Sequence, residues 1–447
     1  MHASTSAEIS RSVGAGVRPW LILAMLSALY TFSLIDRNIL VLLIGPIKAQ
    51  FQLDDVQIGL LVGTAFAVVY AFLGVPAGRL ADRGNRTVLI AAGAIMWCLC
   101  TIGSAFAGSY AVLVLLRLGL AAGEAVLTPT AHSMIGDLFP LEKRSLAASV
   151  YTTAGLIGPA LAFSGGALVI SGMEAAQAGG FLIGMQIWQL VLLAVGIPSL
   201  AMSILFLLMA REPQRTNEHG QAQTVTKRDV IRQIASCKKM YAGLFLTVSF
   251  AGGSCYALNY WTVESLKRDF GWSAVEAGSA YGPTVLTGSV IGVMAIPWIT
   301  SRVKALGRMD AVILVTMACM ALSFLALSIG LILPDPAIRL ALIALGSAGG
   351  LGGVTNVVVS MQEVAPPRMR ATFVALLYMG LTLLGAGLVP LAVPMIGDML
   401  QSTGLSGGLA VVCGSLSGAS VLLLWWIRAD FEREAIAEFP AVGARIQ

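Results

Sequence analysis

The sequence has little charge. Asp, Glu, Lys and Arg make up only 11% of its 447 residues, whereas about a quarter of the residues of an average soluble domain are charged. A large soluble core needs a charged shell, so this deficit argues against an ordinary soluble protein. Apolar residues make up 57% of the chain, and its 49 glycines suit helices that pack closely in a bilayer. The composition therefore predicts an all-α membrane protein.

Histidine and cysteine are also scarce. The three histidines and six cysteines are not spaced as metal ligands, and no nucleophile and base form a recognisable enzyme site. We therefore expect no metal, no cofactor, no disulfide and no enzymatic activity. The net charge of +5 comes from basic residues scattered over many short loops, so we expect no nucleic-acid partner.

Apolar runs of about 20 residues, the length that crosses a bilayer core about 30 Å thick, recur throughout the chain. They predict twelve spans, which we number 1 to 12 in chain order. The predicted spans lie near residues 20–46, 57–80, 87–107, 110–138, 145–170, 188–210, 241–263, 275–300, 309–333, 337–364, 370–400 and 408–428.

One long polar segment, Arg211 to Lys239, separates the first six spans from the last six. We predict an N-terminal bundle (residues 1–210), a linker (211–240) and a C-terminal bundle (241–447). Most of the 28 Lys and Arg residues fall in the loops on the linker's side, and such an excess marks the cytoplasmic side. We expect a multi-pass protein of the cell inner membrane, with an uncleaved first helix and both termini cytoplasmic.

Two internal repeats indicate that the halves are duplicated. The segment Phe51–Gly59 has a counterpart 219 residues later, and each lies in the loop after an odd-numbered span. Asp137 precedes Arg144 by seven residues, and 226 residues later Glu363 precedes Arg370 by the same interval. Duplicated halves are typical of transporter folds.

The loop between spans 2 and 3, GRLADRGNR from Gly78 to Arg86, resembles the signature loop of the major facilitator superfamily. Its charges can bind a facing helix N-terminus and neighbouring charged groups. We predict a conformational latch there, and the alternative is a set of ordinary interfacial charges that enforce topology. The predicted latch residues are Gly78, Asp82, Arg83, Arg86, Asp137 and Arg144.

Three further segments are similar to the spinster-like branch of that superfamily: Asp36 with Arg37, Arg117 to Ala125, and Tyr256 to Trp261. Asn85 replaces the usual glycine, a departure also found in the spinster-like group. The resemblance implies two pseudo-symmetric six-helix bundles around a central cavity, alternating access and, by analogy with eukaryotic members, lipid cargo. Proton-coupled symporters of organic anions carry similar charges and are the second interpretation.

Four ionisable residues fall inside predicted spans: Asp36, Arg37, Arg117 and Glu124. Each charge at the centre of a bilayer costs about 2.5–3.5 kcal/mol, so these side chains must be paired or hydrated. Arg117 and Glu124 are two helical turns apart and share one face of span 4. We predict that the four residues bind protons and substrate, and the alternative is a static pair of salt bridges.

Polar and aromatic residues of the second half are candidates for lining a cargo cavity, with helix packing as the alternative. They are Tyr256, Asn259, Tyr260, Trp261 and Asn356.

These observations predict a proton-coupled secondary active transporter for an amphipathic lipid-like molecule or an organic anion. The alternative is a symporter of aromatic or sugar acids, and a more distant one is a membrane receptor that moves nothing. The expected partners are protons, the small-molecule or lipid substrate and the surrounding membrane lipids, and we expect a monomer.

Overall fold

The computed structural model of the chain describes residues 17–181, 184–213, 226–308, 310–366 and 368–438. Within these residues, twelve helices are long and apolar enough to cross a membrane, which confirms the predicted number of spans. Spans 1 to 12 are Pro19–Leu42, Asp55–Gly74, Arg86–Ser104, Tyr110–Leu138, Leu141–Ala178, Ile187–Met209, Lys238–Phe270, Ala274–Ala305, Ala311–Gly330, Pro336–Val364, Thr372–Met399 and Gly404–Glu434.

Several spans are not single regular α-helices with the predicted bounds. Span 1 ends four residues earlier than predicted, and a short helix, Ile44–Phe51, follows it. Spans 2 and 11 each contain a π-helical segment, Leu60–Thr64 and Leu381–Leu388, and π-helical turns are frequent at functional sites. The helix of span 2 continues to Arg83.

The first predicted repeat forms the same local structure twice. Asp54 and Ser273, which are equivalent positions, each cap the following helix by a reciprocal capping box. Two residues before each cap the backbone is left-handed, with φ of 53° at Gln52 and 67° at Gly271. The equivalent turns support duplication of the halves.

The second predicted repeat also has a structural counterpart. The Arg144 Nε donates a hydrogen bond of 2.9 Å to the carbonyl of Phe139. The Arg370 Nε donates one of 3.3 Å to the carbonyl of Ala365, which is equivalent to Phe139. In both halves, therefore, an arginine holds the end of the preceding helix.

The residues pack as two compact units. One contains Met1–Arg37, Phe72–Gly158 and Gly184–Gly220, and the other contains Asn38–Ala71, Pro159–Ile183 and Gln221–Gln447. Spans 1, 2 and 5 thus contribute residues to both units. Within the second unit they pack against spans of the second half, as where the Thr64 hydroxyl donates to the Gly387 carbonyl at 2.5 Å. The predicted bundles at 1–210 and 241–447, with their linker, stay a prediction.

Candidate functional site

A break in span 4 determines the position of Glu124. One helix, Tyr110–Glu124, ends at this residue, and the next, Leu127–Leu138, starts after a two-residue turn. Pro129 lies in the first turn of the second helix and has no N–H to donate back to the preceding turn, which favours the break. The Glu124 side chain is 1% exposed, so the helix end presents its carboxylate to the protein interior.

The Glu124 carboxylate pairs with an arginine of span 1. The Arg37 guanidinium donates to Glu124 Oε2 at 2.5 Å. Its side chain is 13% exposed, so one partner of this ion pair is fully enclosed and the other nearly so. A charge-assisted hydrogen bond of this kind offsets part of the cost of burying both charges.

Arg117 contacts the backbone of span 1. Its guanidinium donates to the carbonyl of Asp36 at 3.3 Å and to that of Arg37 at 2.8 Å. A carbonyl oxygen has two lone pairs, so it can accept these bonds while span 1 stays helical. Arg117 therefore fixes the position of the two charged residues of span 1 relative to span 4.

The carboxyl group of Asp36 is the least satisfied polar group of this site. The residue is 2% exposed, and among the described residues neither carboxyl oxygen has a hydrogen-bond partner. Glu124 and Arg117 lie near enough to act on it electrostatically, and the Trp97 indole N–H is a neighbouring donor that makes no hydrogen bond of good geometry with it. Burying a polar group without a partner is costly, and burying an isolated charge is much more so. We call Asp36, Arg37, Arg117 and Glu124 the intramembrane charge cluster.

The predicted latch centres on Arg86, whose side chain is 2% exposed. Its guanidinium donates to Asp137 Oδ2 at 2.6 Å and to Glu212 Oε1 at 2.7 Å. It also donates to the hydroxyl of Ser133 at 3.1 Å. Glu212, the second residue of the polar segment that follows span 6, was not among the predicted latch residues.

The remaining latch residues have different environments. Arg83 is exposed, Gly78 has open space where a side chain would be, and the Asp82 side chain lies outside the described residues. Arg144 binds a backbone carbonyl, as described above. Asn85, at the position where the superfamily usually has glycine, caps span 3 by accepting from the Val88 N–H.

The second half carries a related arrangement with the charges exchanged. Asp310, just before span 9, pairs with Arg428 of span 12 at 2.6 Å and with Arg308 at 3.1 Å. Burial alone would raise the pKa of Asp310, but the hydrogen bonds from the two arginines hold it below its usual value. At the ends of spans 8 and 10, Lys304 pairs with Glu363 at 2.7 Å.

The five candidate lining residues fall into two groups. Trp261 and Asn356 are buried between helices: the Trp261 indole N–H donates to the Pro390 carbonyl at 2.8 Å, and the Asn356 amide donates to Thr300 Oγ1 at 2.9 Å. Tyr260 is also buried. Tyr256 and Asn259 are half-buried, which leaves part of each side chain accessible.

A second ionic group, which the sequence analysis missed, surrounds Asp55 at the start of span 2. Arg268 of span 7 donates two hydrogen bonds to its carboxylate, at 2.7 and 2.9 Å. Lys48 contacts the same carboxylate at 2.5 Å. Arg268 and Lys267 also pair with Glu264 at 2.9 and 2.8 Å. We call these five residues the Asp55 cluster; it joins parts of spans 2 and 7 within the second unit.

The twelve spans, the signature loop and the intramembrane charges define a membrane transporter of small molecules. The chain belongs to the Major Facilitator Superfamily, whose sequence profile matches residues 26–390. This confirms the superfamily resemblance of the loop from Gly78 to Arg86.

Proteins with similar sequences include an efflux pump and members of the spinster group. The chain is 25% identical to an MFS-type efflux pump of Mycolicibacterium smegmatis, over 94% of the chain and 95% of that protein. It is 28% identical to protein spinster homolog 3 of Danio rerio, over 56% of the chain and 49% of that protein. It is 29% identical to the sphingosine-1-phosphate transporter SPNS2 of Danio rerio, over 52% of the chain and 45% of that protein. The matches thus cover about half the length of these two spinster relatives.

The fold is similar to a solved structure. A crystal structure of a bacterial homolog of the human lysosomal transporter spinster, inward-facing and unoccupied, aligns with a TM-score of 0.76. The identity is 23%, over 96% of this chain and 99% of that one. The likeness confirms the expected fold, and together with the sequence matches it agrees with the predicted spinster-like resemblance.

Proposed function

We propose that this chain is a proton-coupled secondary active transporter that works by alternating access. The observation that carries the proposal is the intramembrane charge cluster, in which Asp36 is buried without a hydrogen-bond partner among the described residues. A bound proton removes the charge of such a carboxyl group and with it most of the cost of burial. A carboxyl group that is buried in one state of the cycle and hydrated in another therefore exchanges its proton in step with the cycle.

The ion pair between Arg37 and Glu124 gives the proton a way to act on the cargo. When Glu124 takes up a proton, its attraction for the Arg37 guanidinium falls, and that positive charge becomes available to an anionic group of the cargo. Arg117 binds the backbone of span 1 and so keeps Arg37 positioned next to Glu124. Protonation and cargo binding are coupled through one arginine.

The proposed cargo is an amphipathic lipid-like molecule or an organic anion. An arginine that exchanges partners suits an anionic headgroup or acid. Among the predicted lining residues, Tyr256 and Asn259 are half-buried, so an aromatic face and an amide remain accessible for contact with a cargo molecule. The similarity to a protein named as a sphingosine-1-phosphate transporter favours the lipid.

Two charge clusters suit the conformational change. The Arg86 cluster (Arg86, Asp137 and Glu212) joins the ends of spans 3, 4 and 6. The Asp55 cluster joins spans 2 and 7. We propose that each cluster closes in one conformation of the cycle and opens in the other, because ion pairs at helix ends can exchange their partners for water.

We further propose a monomer in the cell inner membrane with both termini cytoplasmic. The excess of Lys and Arg in the loops after even-numbered spans supports this orientation.

Uptake into liposomes tests the function. Purified protein is reconstituted and tested with lysolipids, sphingoid bases, aromatic acids and sugar acids, with and without a pH gradient. The proposal requires that at least one compound accumulates in response to the gradient, and the direction of the gradient distinguishes symport from antiport. Accumulation of an aromatic or sugar acid alone would favour the organic-anion symporter. Binding without accumulation would contradict transport and favour a receptor.

A further inference from the structure

The end of span 12 contains a sharp transition from apolar to charged residues. Trp425 and Trp426 are 68% and 49% exposed. Arg428 and Asp430 follow within four residues. Because tryptophan is enriched at the level of the lipid headgroups, this transition indicates where span 12 leaves the membrane.

An amphipathic helix, Lys227–Ser236, lies on the same unit just before span 7. Val230 and Ile234 pack against the buried core of the second half. Ile231 is 66% exposed, and Arg228 and Arg232 are exposed as well. A helix with basic residues and an exposed apolar side chain, placed beside a span, is typical of contact with a membrane surface.

A cavity of about 320 Å³ lies between the start of span 7 and the end of span 12. Its lining includes Lys238, Lys239, Asp430, Arg433 and Glu434. Lys239 lies 4.9 Å from the centre of the Trp426 ring, which places the cavity beside the apolar-to-charged transition. The cavity therefore lies at the level of the lipid headgroups.

The two carboxylates that line the cavity each have a partner within the protein. Asp430 pairs with Lys239 at 2.9 Å, and Glu434 accepts a hydrogen bond from the Cys237 thiol at 3.0 Å. Arg433 is 78% exposed and only 3.7 Å from Asp430, a weak contact. Three basic and two acidic side chains line the cavity, so the lining keeps a net charge of +1.

The amphipathic helix Lys227–Ser236, which we call the linker helix, adds to this positive charge. In the part of the chain that the structure describes, neither Lys238 nor Arg228 forms an ion pair, and both side chains are exposed. Accessible positive charge beside exposed tryptophan and isoleucine side chains is complementary to a phosphate group attached to acyl chains.

We propose that the cavity and the linker helix together bind the headgroup of an anionic membrane phospholipid. Lys238 and Arg433 hold the phosphodiester at the cavity mouth, and Arg228 contributes long-range attraction. Ile231 and Trp425 contact the upper part of the acyl chains. This site shares no residue with the intramembrane charge cluster and does not depend on what the protein carries.

The test is the affinity of purified full-length protein in neutral detergent for dioleoyl phosphatidylglycerol, measured by native mass spectrometry against dioleoyl phosphatidylcholine. The double variant Lys238→Gln/Arg433→Gln removes two charges of the site. Lys143→Gln/Arg211→Gln removes two exposed basic charges elsewhere and is the control. Each basic residue near an anionic lipid surface contributes about five-fold in affinity. The site variant is therefore expected to bind phosphatidylglycerol roughly 10- to 30-fold more weakly, and the control is expected to match the parent protein.

Three results would overturn the proposal. The first is equal affinity of the parent protein for the two lipids, and the second is an equal loss in the site and control variants. The third is equally strong competition by water-soluble glycerophosphoglycerol, which would indicate a site for a soluble phosphodiester in place of a membrane lipid. A shift in the thermal unfolding temperature of the site variant without lipid identifies misfolding, and the single variant Lys238→Gln then provides the measurement, with about five-fold weaker binding expected.

Discussion

Arg37 of span 1 donates a hydrogen bond of 2.5 Å to Glu124 of span 4, and both side chains are largely enclosed within membrane-spanning helices. Breaking such a pair by removing one partner leaves a buried charge without compensation, at a cost of about 3–5 kcal/mol. Loss of the charge of either group would therefore weaken the pair. This property makes it suitable for coupling a proton to a change of partner.

Replacing Glu124 with Gln should abolish accumulation driven by a pH gradient, because an amide cannot take up the proton. Exchange of cargo across the membrane at equal pH should remain measurable, since that process needs no net proton movement. Uptake and counterflow assays with the same liposomes distinguish these outcomes. Glu142→Gln, at an exposed position, is the control and should behave as the parent protein. Unchanged pH dependence in Glu124→Gln would remove Glu124 from the proposed role.

The Arg86 cluster should show energetic coupling between Arg86 and Glu212. Glu212→Gln removes one of the two carboxylates bound to a guanidinium that is 2% exposed, so the thermal unfolding temperature should fall. The double variant Arg86→Gln/Glu212→Gln should be less destabilised than the sum of the single variants, with a coupling energy of about 0.5–3 kcal/mol. Additive effects would show that the contact contributes nothing to stability.

The Asp55 cluster should limit access to the contact between spans 2 and 11. Arg268→Gln removes the two hydrogen bonds to Asp55. A reporter cysteine at Ala67, which is buried, should then react faster with a membrane-impermeant thiol reagent in a background whose native cysteines are replaced by serine. Lys304→Gln is the control because Lys304 pairs with Glu363, outside the Asp55 cluster. Equal labelling rates in the two variants would contradict a gating role for Arg268.

The close approach of spans 3 and 4 gives a prediction about stability. A Cβ atom at Gly123 would lie 2.5 Å from the carbonyl oxygen of Gly93, so Gly123→Ala must move one helix. Gly136→Ala, in the same span, has open space around the added methyl group. We expect Gly123→Ala to reduce the free energy of unfolding by about 1–3 kcal/mol and so to lower the thermal unfolding temperature. Gly136→Ala should have little effect on either quantity. A similar unfolding temperature for both would mean that the contact is looser than described.

Much of the fold was predictable because it depends on local patterns. Apolar runs define the twelve spans, and the two repeats identify equivalent caps, such as those formed by Asp54 and Ser273. The break in span 4 after Glu124 was not predicted, although Pro129 is a signal for it. The length and composition of apolar runs show which segments cross the membrane. They do not show where a helix is interrupted within such a segment.

The contacts of the candidate site were less predictable. The four intramembrane charges were identified from their positions, but their pairing was not, since Arg117 binds backbone carbonyls of span 1. The pairs of Arg86 with Glu212 and of Arg268 with Asp55 join residues far apart in the sequence. Ordinary charged residues at helix ends give no signal of such a pairing until the helices are packed.

The central claim is that the carboxyl groups of the intramembrane charge cluster bind and release protons. Infrared difference spectroscopy of the purified protein across a change of pH measures this directly, because a protonated carboxyl group has its own stretching band. The account predicts a carboxyl band that is altered in Asp36→Asn and in Glu124→Gln but retained in Glu142→Gln. Identical carboxyl bands in the parent protein and all three variants would contradict it.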